Sequence, residues 1–219
     1  ANKRRLSIGF FVDSVTGYKT DKETRRATLQ AAILLEDLGH RVEEVKCPVS
    51  PQFSEDFSLY WGMLSFLVKN SAKILFNASF EQNALDKFSL GLANYYRQNI
   101  HKTPLFLYRL KQHAKLFQSQ FERYDAFLSP VLGQTTRPLG ELHPSSDFEV
   151  LLDRLTRYAS FTPIANIAGT PAIALPFSKT SKGLPIGIQL CSALGQEQTL
   201  LELAYEIEAA QPWKHLHQL

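Results

Sequence analysis

TPIANIAGTPAIALPFSKTSKGLPIGIQL, residues 162–190, is the stretch that decides the fold of this chain. It contains two apolar runs, residues 171–177 and 185–190, separated by a polar segment that includes Gly183. Each run begins with proline, which suits the first position of a strand, and the glycine between them suits a turn. Neither run alternates apolar and charged residues. This pattern predicts two neighbouring strands that are buried on both faces beneath helices.

Three more apolar runs, at residues 6–12, 42–47 and 126–132, predict further strands. Between the first two, alanines and leucines recur at helical spacing, and Thr20 with Glu23 forms a capping-box pattern at the start of this helix. A strand–helix–strand unit places its two strands parallel. The order of elements therefore predicts an α/β fold with a mixed sheet flanked by helices.

The length of 219 residues allows one large domain or two small ones, and we expect a single domain over residues 1–219. Hydrophobic residues make up 44% and charged residues 21% of the chain, which is ordinary for a globular protein. The net charge of +3 is too small to predict a nucleic-acid partner. No apolar run reaches the length of about 18 residues that predicts a membrane span.

The two cysteines, Cys47 and Cys191, lie far apart and match no disulfide or metal-ligand spacing. This favours a reducing compartment, so we expect a cytoplasmic protein in which the cysteines form no metal site. The chain lacks an initial methionine and a signal-peptide pattern, and it enters a predicted strand at Leu6. We therefore expect a processed or truncated chain.

The sequence contains no obvious set of catalytic residues. It has neither a Gly-x-Ser-x-Gly motif nor a glycine-rich phosphate loop, and its six histidines suggest no site. The doublet Ser145–Ser146 precedes a predicted helix, and Ser146 or Asp147 is better explained as the N-cap of that helix. Cys191 stands at a strand end and could act as a nucleophile, although a buried structural thiol is the simpler interpretation.

The hairpin carries a pattern that resembles the C-terminal signature of the amidase signature family. That pattern reads Asn-x-Ala-Gly-x-Pro-Ala, a strand, a polar turn, and then Gly-Leu-Pro-x-Gly-x-Gln. The residues that match it are Asn166, Ala168, Gly169, Pro171, Ala172, Gly183, Leu184, Pro185, Gly187 and Gln189. The resemblance covers most of the chain, through Leu-Gly-His at 38–40, Tyr-Asp-x-x-Leu-x-Pro at 124–130 and Glu-x-x-Leu-Leu-x-x-Ala-x-x-x-Glu at 197–208.

The resemblance implies amide hydrolysis through an acyl-serine intermediate, carried out without a cofactor by a Ser–cis-Ser–Lys triad. In that family the lysine and the Gly/Ser-rich segment with both serines precede every motif found here, so no catalytic role carries over to this chain. The resemblance thus implies the C-terminal half of an amidase, inactive alone. Its expected partners are a small-molecule amide substrate and the missing N-terminal catalytic half. We also expect an exposed apolar face, which self-association into a homo-oligomer would cover.

In the family, the loop after the Tyr-Asp strand lies near the acyl-binding channel, which makes this loop a candidate wall of the substrate pocket. Its residues here are Leu132, Gly133, Gln134, Thr135 and Thr136. Phe161 and Thr162 are secondary candidates, and a plain surface loop is the alternative. Asn166 is interpreted as a structural hydrogen-bonding residue that closes the turn before the strand.

Three functions stay open on the sequence alone. The first is the C-terminal part of an amidase. The second is a non-catalytic amidase-like module for binding or subunit interaction. The third is an enzyme with an unrelated site, such as one at Cys191.

Overall fold

The computed structural model describes residues 4–75, 79–81 and 84–213. In chain order its elements are β1 (Ser7–Phe10), α1 (Lys22–Asp37), β2 (Arg41–Glu44), α2 (Gln52–Leu75), α3 (Lys87–Gln98), α4 (Thr103–Ser119), β3 (Ala126–Pro130), α5 (Phe148–Tyr158), α6 (Thr162–Ala168), β4 (Ala172–Lys179), β5 (Pro185–Ser192) and α7 (Glu197–Ala210). A bilayer-crossing helix is absent from the described ranges, because none of their helices combines the necessary length and apolar character.

The strands form one mixed sheet in the order β2-β1-β3-β5-β4. β1 runs parallel to both β2 and β3, whereas β5 runs antiparallel to both β3 and β4. The predicted mixed sheet, the parallel β1–β2 pair and the β4–β5 hairpin are therefore confirmed. Gly183 has a φ of 82° in the hairpin turn, where the Thr180 carbonyl accepts a hydrogen bond from its N–H at 2.9 Å.

Helices pack on both faces of the sheet. On one face α1 and α7 cover a core of aliphatic side chains that includes Ile8, Leu128 and Leu190. On the other face α2, α4 and α6 pack through a core rich in aromatic rings, including Phe11, Phe106, Phe117, Phe127 and Phe161. A third, smaller cluster joins α3 to α5. Trp61 of α2 packs against this third cluster, which brings α5 next to α2.

The edge strand β4 differs from the prediction that both of its faces are buried. Its residues alternate, with Leu175 and Phe177 buried and Ala172, Ala174 and Pro176 exposed. The prediction was wrong because it took the lack of charged residues as a sign of burial on both faces. The absence of charge instead leaves an apolar open face on a strand that, among the described strands, pairs with β5 alone.

The start of α1 also differs from the prediction by one residue. The N-cap is Asp21, whose Oδ1 accepts hydrogen bonds from the N–H groups of Glu23 and Thr24 at 2.9 Å each. Thr20 is therefore not the cap, although its spacing to Glu23 fits a capping box. At α5 the cap is Asp147, one of the two residues predicted there.

Candidate functional site

A cavity of about 300 Å³ lies among α2, α5, α6 and the loop between β1 and α1. Its apolar walls are formed by Val15, Phe53, Phe57, Trp61, Leu152, Leu155, Ala159 and Pro163. Its polar lining consists of hydroxyl and amide groups, from Thr16, Ser54, Ser58, Thr156, Ser160, Thr162 and Asn166. None of these side chains is ionisable near neutral pH. Apolar walls with a few polar groups are typical of small-molecule sites.

α2 supplies the aromatic wall of this cavity. Phe53, Phe57 and Trp61 recur every four residues, which places them on one face of the helix. The ring centroids of Phe53 and Phe57 lie 6.1 Å apart, and those of Phe57 and Trp61 lie 6.4 Å apart. Ser54 and Ser58 follow the same spacing on the adjoining face, so the helix places a row of hydroxyls beside a row of rings.

An ion pair between α2 and α4 holds this wall in place. The side chain of Asp56 is fully buried, and Arg109 donates to it from Nε at 3.1 and 2.8 Å and from Nη2 at 2.5 Å. Bidentate pairs of this type are among the strongest hydrogen bonds in proteins. Because Asp56 directly precedes Phe57 in the helix, the pair fixes the rotation of α2 and the direction of its aromatic row.

The loop between β1 and α1 brings Val15 and Thr16 to the cavity, and Tyr18 attaches this loop to α5. The Tyr18 hydroxyl donates to Oδ1 of Asp153 at 2.5 Å, and the guanidinium of Arg157 lies 4.2 Å from the centroid of its ring. The hydrogen bond from Tyr18 lowers the pKa of Asp153, so this residue accepts the bond as a carboxylate.

The loop that the sequence singled out lies beside the cavity. Asp21 anchors it, because Oδ2 of Asp21 accepts from the Thr135 N–H at 2.7 Å and the Asp21 N–H donates to the Gly133 carbonyl at 3.0 Å. The Gly133 N–H donates to the Tyr158 carbonyl at 2.8 Å. A β-carbon at Gly133 would stand 2.7 Å from the Ser160 hydroxyl. Since Ser160 lines the cavity, the loop supports the cavity wall from behind.

The other residues of this loop border smaller clefts. A crevice of about 30 Å³ is lined in part by Leu132, Gln134, Thr135 and Thr136. Gln134 also borders a cleft of about 210 Å³ that contains three arginines. Of the secondary candidates, Thr162 lines the main cavity, whereas Phe161 is buried in the core. A substrate-binding role for the five loop residues stays a prediction.

The sequence interpretation of Asn166 was wrong. Residues 162–168 form α6, and Asn166 is exposed on this helix, where it lines the cavity. The turn into β4 is closed by the backbone instead. Gly169 ends α6 with a φ of 68°, and the Thr170 N–H donates to the Ala165 carbonyl at 3.2 Å.

One serine does contact a histidine, although the sequence suggested no such pair. Nδ1 of His143 lies 2.6 Å from the Ser145 hydroxyl and also accepts a hydrogen bond from the Ser145 N–H at 3.2 Å. Both residues are exposed in the turn before α5, and neither lines the cavity. The described residues show no third group that orients this imidazole ring, so the pair is a turn contact without the remaining parts of a catalytic triad.

The cysteines do not offer an activated nucleophile either. Burial raises the pKa of the Cys191 thiol to about 12, and burial has the same effect on Cys47. Both cysteines are free thiols. Within the described part of the chain, no group of three or more His, Cys, Asp or Glu residues is arranged to hold a metal ion.

Comparisons with known proteins identify the family. The family model named Amidase matches residues 1–201. The putative amidase AmiC of Mycobacterium tuberculosis is 41% identical over 216 residues, which is 98% of this chain and 45% of that protein. AmiC of Mycobacterium leprae is 38% identical over 215 residues, again 98% of this chain and 46% of that protein. The chain thus spans about half the length of these relatives.

Solved structures share the fold. A 6-aminohexanoate cyclic dimer hydrolase complexed with its substrate superposes with a TM-score of 0.80 at 24% identity, covering 97% of this chain and 46% of that chain. A bacterial aryl acylamidase of the amidase signature family gives a TM-score of 0.73 at 17% identity, covering 96% and 44%. Together with the family model, this places the chain in the amidase signature family.

Proposed function

We propose that this chain is the C-terminal part of an amidase, which hydrolyses the carbon–nitrogen bond of linear amides through an acyl-serine intermediate. In this proposal the chain supplies scaffold and part of the substrate pocket. The cavity of about 300 Å³ beside α2 is the observation that carries the proposal. Its volume and its mixed lining suit a small organic ligand. Relatives named as amidases support amide hydrolysis as the reaction class.

We further propose that the nucleophile and its base lie in the part of the amidase that this chain does not span. A nucleophilic serine must lie about 2.6–3.2 Å from a base that a third group orients. The cavity lining includes serines but no ionisable side chain that could act as such a base. The hydroxyl of Ser58 is instead bonded to the Ser54 carbonyl at 2.9 Å. The chain is therefore expected to be inactive alone.

We propose that the catalytic half packs against the unpaired edge and the exposed face of β4. An edge strand presents unpaired backbone groups, and here the exposed side chains of Ala172, Ala174 and Pro176 add an apolar strip. Homo-oligomer formation through the same strip is the alternative. The two free cysteines fit the reducing cytoplasm that we propose as the compartment of the protein.

A second candidate function is a non-catalytic amidase-like module that binds a ligand or another subunit. The observation that favours it is that the described cavity has apolar walls and neutral polar groups, which suit ligand binding, but no ionisable side chain that could act as a base. Such a module would bind amides without hydrolysing them in any assembly.

A chimera separates the two candidates. We would replace the matched segment of Mycobacterium tuberculosis AmiC with this chain, and measure amide hydrolysis by the chimera, by intact AmiC and by this chain alone. The amidase proposal expects hydrolysis by the chimera and none by the isolated chain. A chimera that melts cooperatively and binds amides without hydrolysing them, while AmiC does hydrolyse them, would favour the binding module. Hydrolysis by the isolated chain would contradict the proposal that its catalytic groups lie elsewhere.

A further inference from the structure

We propose that the cavity selects an uncharged amide with an apolar acyl group and discriminates against substrates that carry a carboxylate. This inference rests on the proposed function of the cavity as a substrate site, and it goes further by naming the substrate class.

The side chains of this chain that line the cavity carry no charge that could pair with an anion. All of its lining side chains are apolar, hydroxyl or amide, and one wall is the aromatic row of Phe53, Phe57 and Trp61. An ionised carboxylate that leaves water without a cationic partner is strongly disfavoured. For scale, an apolar cavity of about 150 Å³ is known to hold benzene. The volume of about 300 Å³ therefore accommodates an aromatic ring together with an amide group.

Two hydroxyl groups of the lining favour the same class of substrate. The Ser58 hydroxyl donates its proton to the Ser54 carbonyl at 2.9 Å, and the Thr156 hydroxyl donates to the Leu152 carbonyl at 2.8 Å. A hydroxyl has one proton to donate, so these two oxygens present only lone pairs to the cavity. Lone pairs accept hydrogen bonds from an amide N–H, but they repel a carboxylate oxygen.

A neighbouring groove adds a further barrier to anions. A groove of about 420 Å³ shares Ser54, Ser58, Leu152 and Thr156 with the cavity, and it carries three carboxylates. Lys102 lies 3.4 Å from Glu55, and Arg157 lies 2.9 Å from Asp153. Glu149 has no cationic partner in the described structure, so the groove keeps a net negative charge beside the cavity.

Trp61 provides a direct probe of occupancy. The chain contains two tryptophans, and Trp213→Phe leaves Trp61 in the cavity wall as the single tryptophan. We would titrate this variant of the 219-residue chain with phenylacetamide and with its para-carboxy derivative, which share the ring and the amide. We expect a saturable change in fluorescence with phenylacetamide, and a Kd at least about tenfold higher for the carboxylated compound. A tenfold difference in Kd corresponds to about 1.4 kcal/mol of binding free energy.

A charge placed in the wall tests the cause of this preference. Asn166 lines the cavity yet is exposed on α6, so Asn166→Lys brings a cation to the wall with little disturbance of the core. We expect the carboxylated compound to bind this variant at least as tightly as phenylacetamide. Asn166→Gln is the neutral control and should keep the original preference. Thermal melts establish that both variants are folded.

The outcomes distinguish a wrong substrate class from a wrong assignment of the cavity as a substrate site. If the unsubstituted cavity binds the carboxylated compound as tightly as phenylacetamide, the inferred substrate class is wrong while the cavity remains a ligand site. If neither compound gives a saturable change, the cavity is not a site for small amides, and the proposed function of the cavity is itself overturned.

Discussion

Gly133 lies against the carbonyl oxygen of Arg157, so closely that a β-carbon at Gly133 would stand 2.4 Å from that oxygen. The contact joins the loop after β3 to the last turn of α5, and through Ser160 it reaches the cavity wall. The glycine is needed here for close approach of two backbone segments, because any side chain would have to displace the end of a helix.

Gly133→Ala is therefore expected to destabilise the chain by about 1–3 kcal/mol, the usual cost of forcing an extra methyl into a packed site. Urea unfolding measures this difference. Thr136→Ala, in the exposed part of the same loop, is the control and should change stability by less than about 0.5 kcal/mol. An unchanged midpoint for Gly133→Ala would mean that the loop can move away from α5.

Asp21 has two roles, since one carboxylate caps α1 and also holds the Thr135 N–H. Asp21→Ala is expected to cost about 1–2 kcal/mol through loss of the cap, and to free the candidate loop. Asp21→Asn keeps a side-chain oxygen and should lose much less. Hydrogen exchange at the Thr135 amide reports on the loop directly, and equal exchange in all three proteins would contradict this anchoring role.

The ion pair between Asp56 and Arg109 gives a prediction with a built-in control. Arg109→Met leaves a fully buried carboxylate without its partner, which is expected to cost about 3–5 kcal/mol. Replacing both residues, as Asp56→Leu with Arg109→Met, removes the unpaired charge and should recover a large part of that loss. Unfolding curves of the single and double variants test this, and additive losses would show that the two residues do not act as a pair.

Glu206 is expected to make stability depend on pH. Burial alone would raise its pKa, but hydrogen bonds from Arg5 at 2.5 Å and His40 at 3.2 Å, together with the charge of Arg5, outweigh burial and lower the pKa. A carboxyl group whose pKa is lower in the folded state stabilises the fold at pH values above its pKa in the unfolded chain, which is about 4.3 for glutamate. This stabilisation is lost as the pH falls through the pKa of the folded state.

We therefore expect Glu206→Gln to be less stable than the unsubstituted chain at pH ~7, with a gap that narrows as pH falls below ~4. Denaturant unfolding across this range provides the measurement. Glu208→Gln, on the same helix, is the matched control and should show a much smaller gap. A gap for Glu206→Gln that stays constant with pH would contradict the role assigned to its ionised form.

The sheet could be predicted from the sequence because its apolar runs are short, bounded by Gly or Pro, and placed in an order that allows few topologies. The cavity could not be predicted. Phe53, Phe57 and Trp61 have the spacing of an ordinary core-facing row, and only the tertiary arrangement of α5 and α6 leaves space in front of them.

The sequence did not identify the N-cap of α1 correctly, because two residues with good capping side chains are adjacent there. Thr20 and Asp21 are both favourable caps, and the choice of Asp21 depends on its second contact with Thr135, which is distant in sequence. α6 has seven residues, too few for helical periodicity to be recognised, so Asn166 was assigned to a turn. The contact of His143 with Ser145 is likewise a product of one turn and not of any motif.

Fluorophosphonate labelling followed by intact-mass measurement tests the central claim, that the nucleophile of this amidase lies outside the present chain. The account predicts an unchanged mass for the chain. The same result is expected for Ser145→Ala, which removes the serine that contacts His143. A single stoichiometric adduct would contradict the account. Loss of that adduct in Ser145→Ala would assign the reactivity to Ser145 itself.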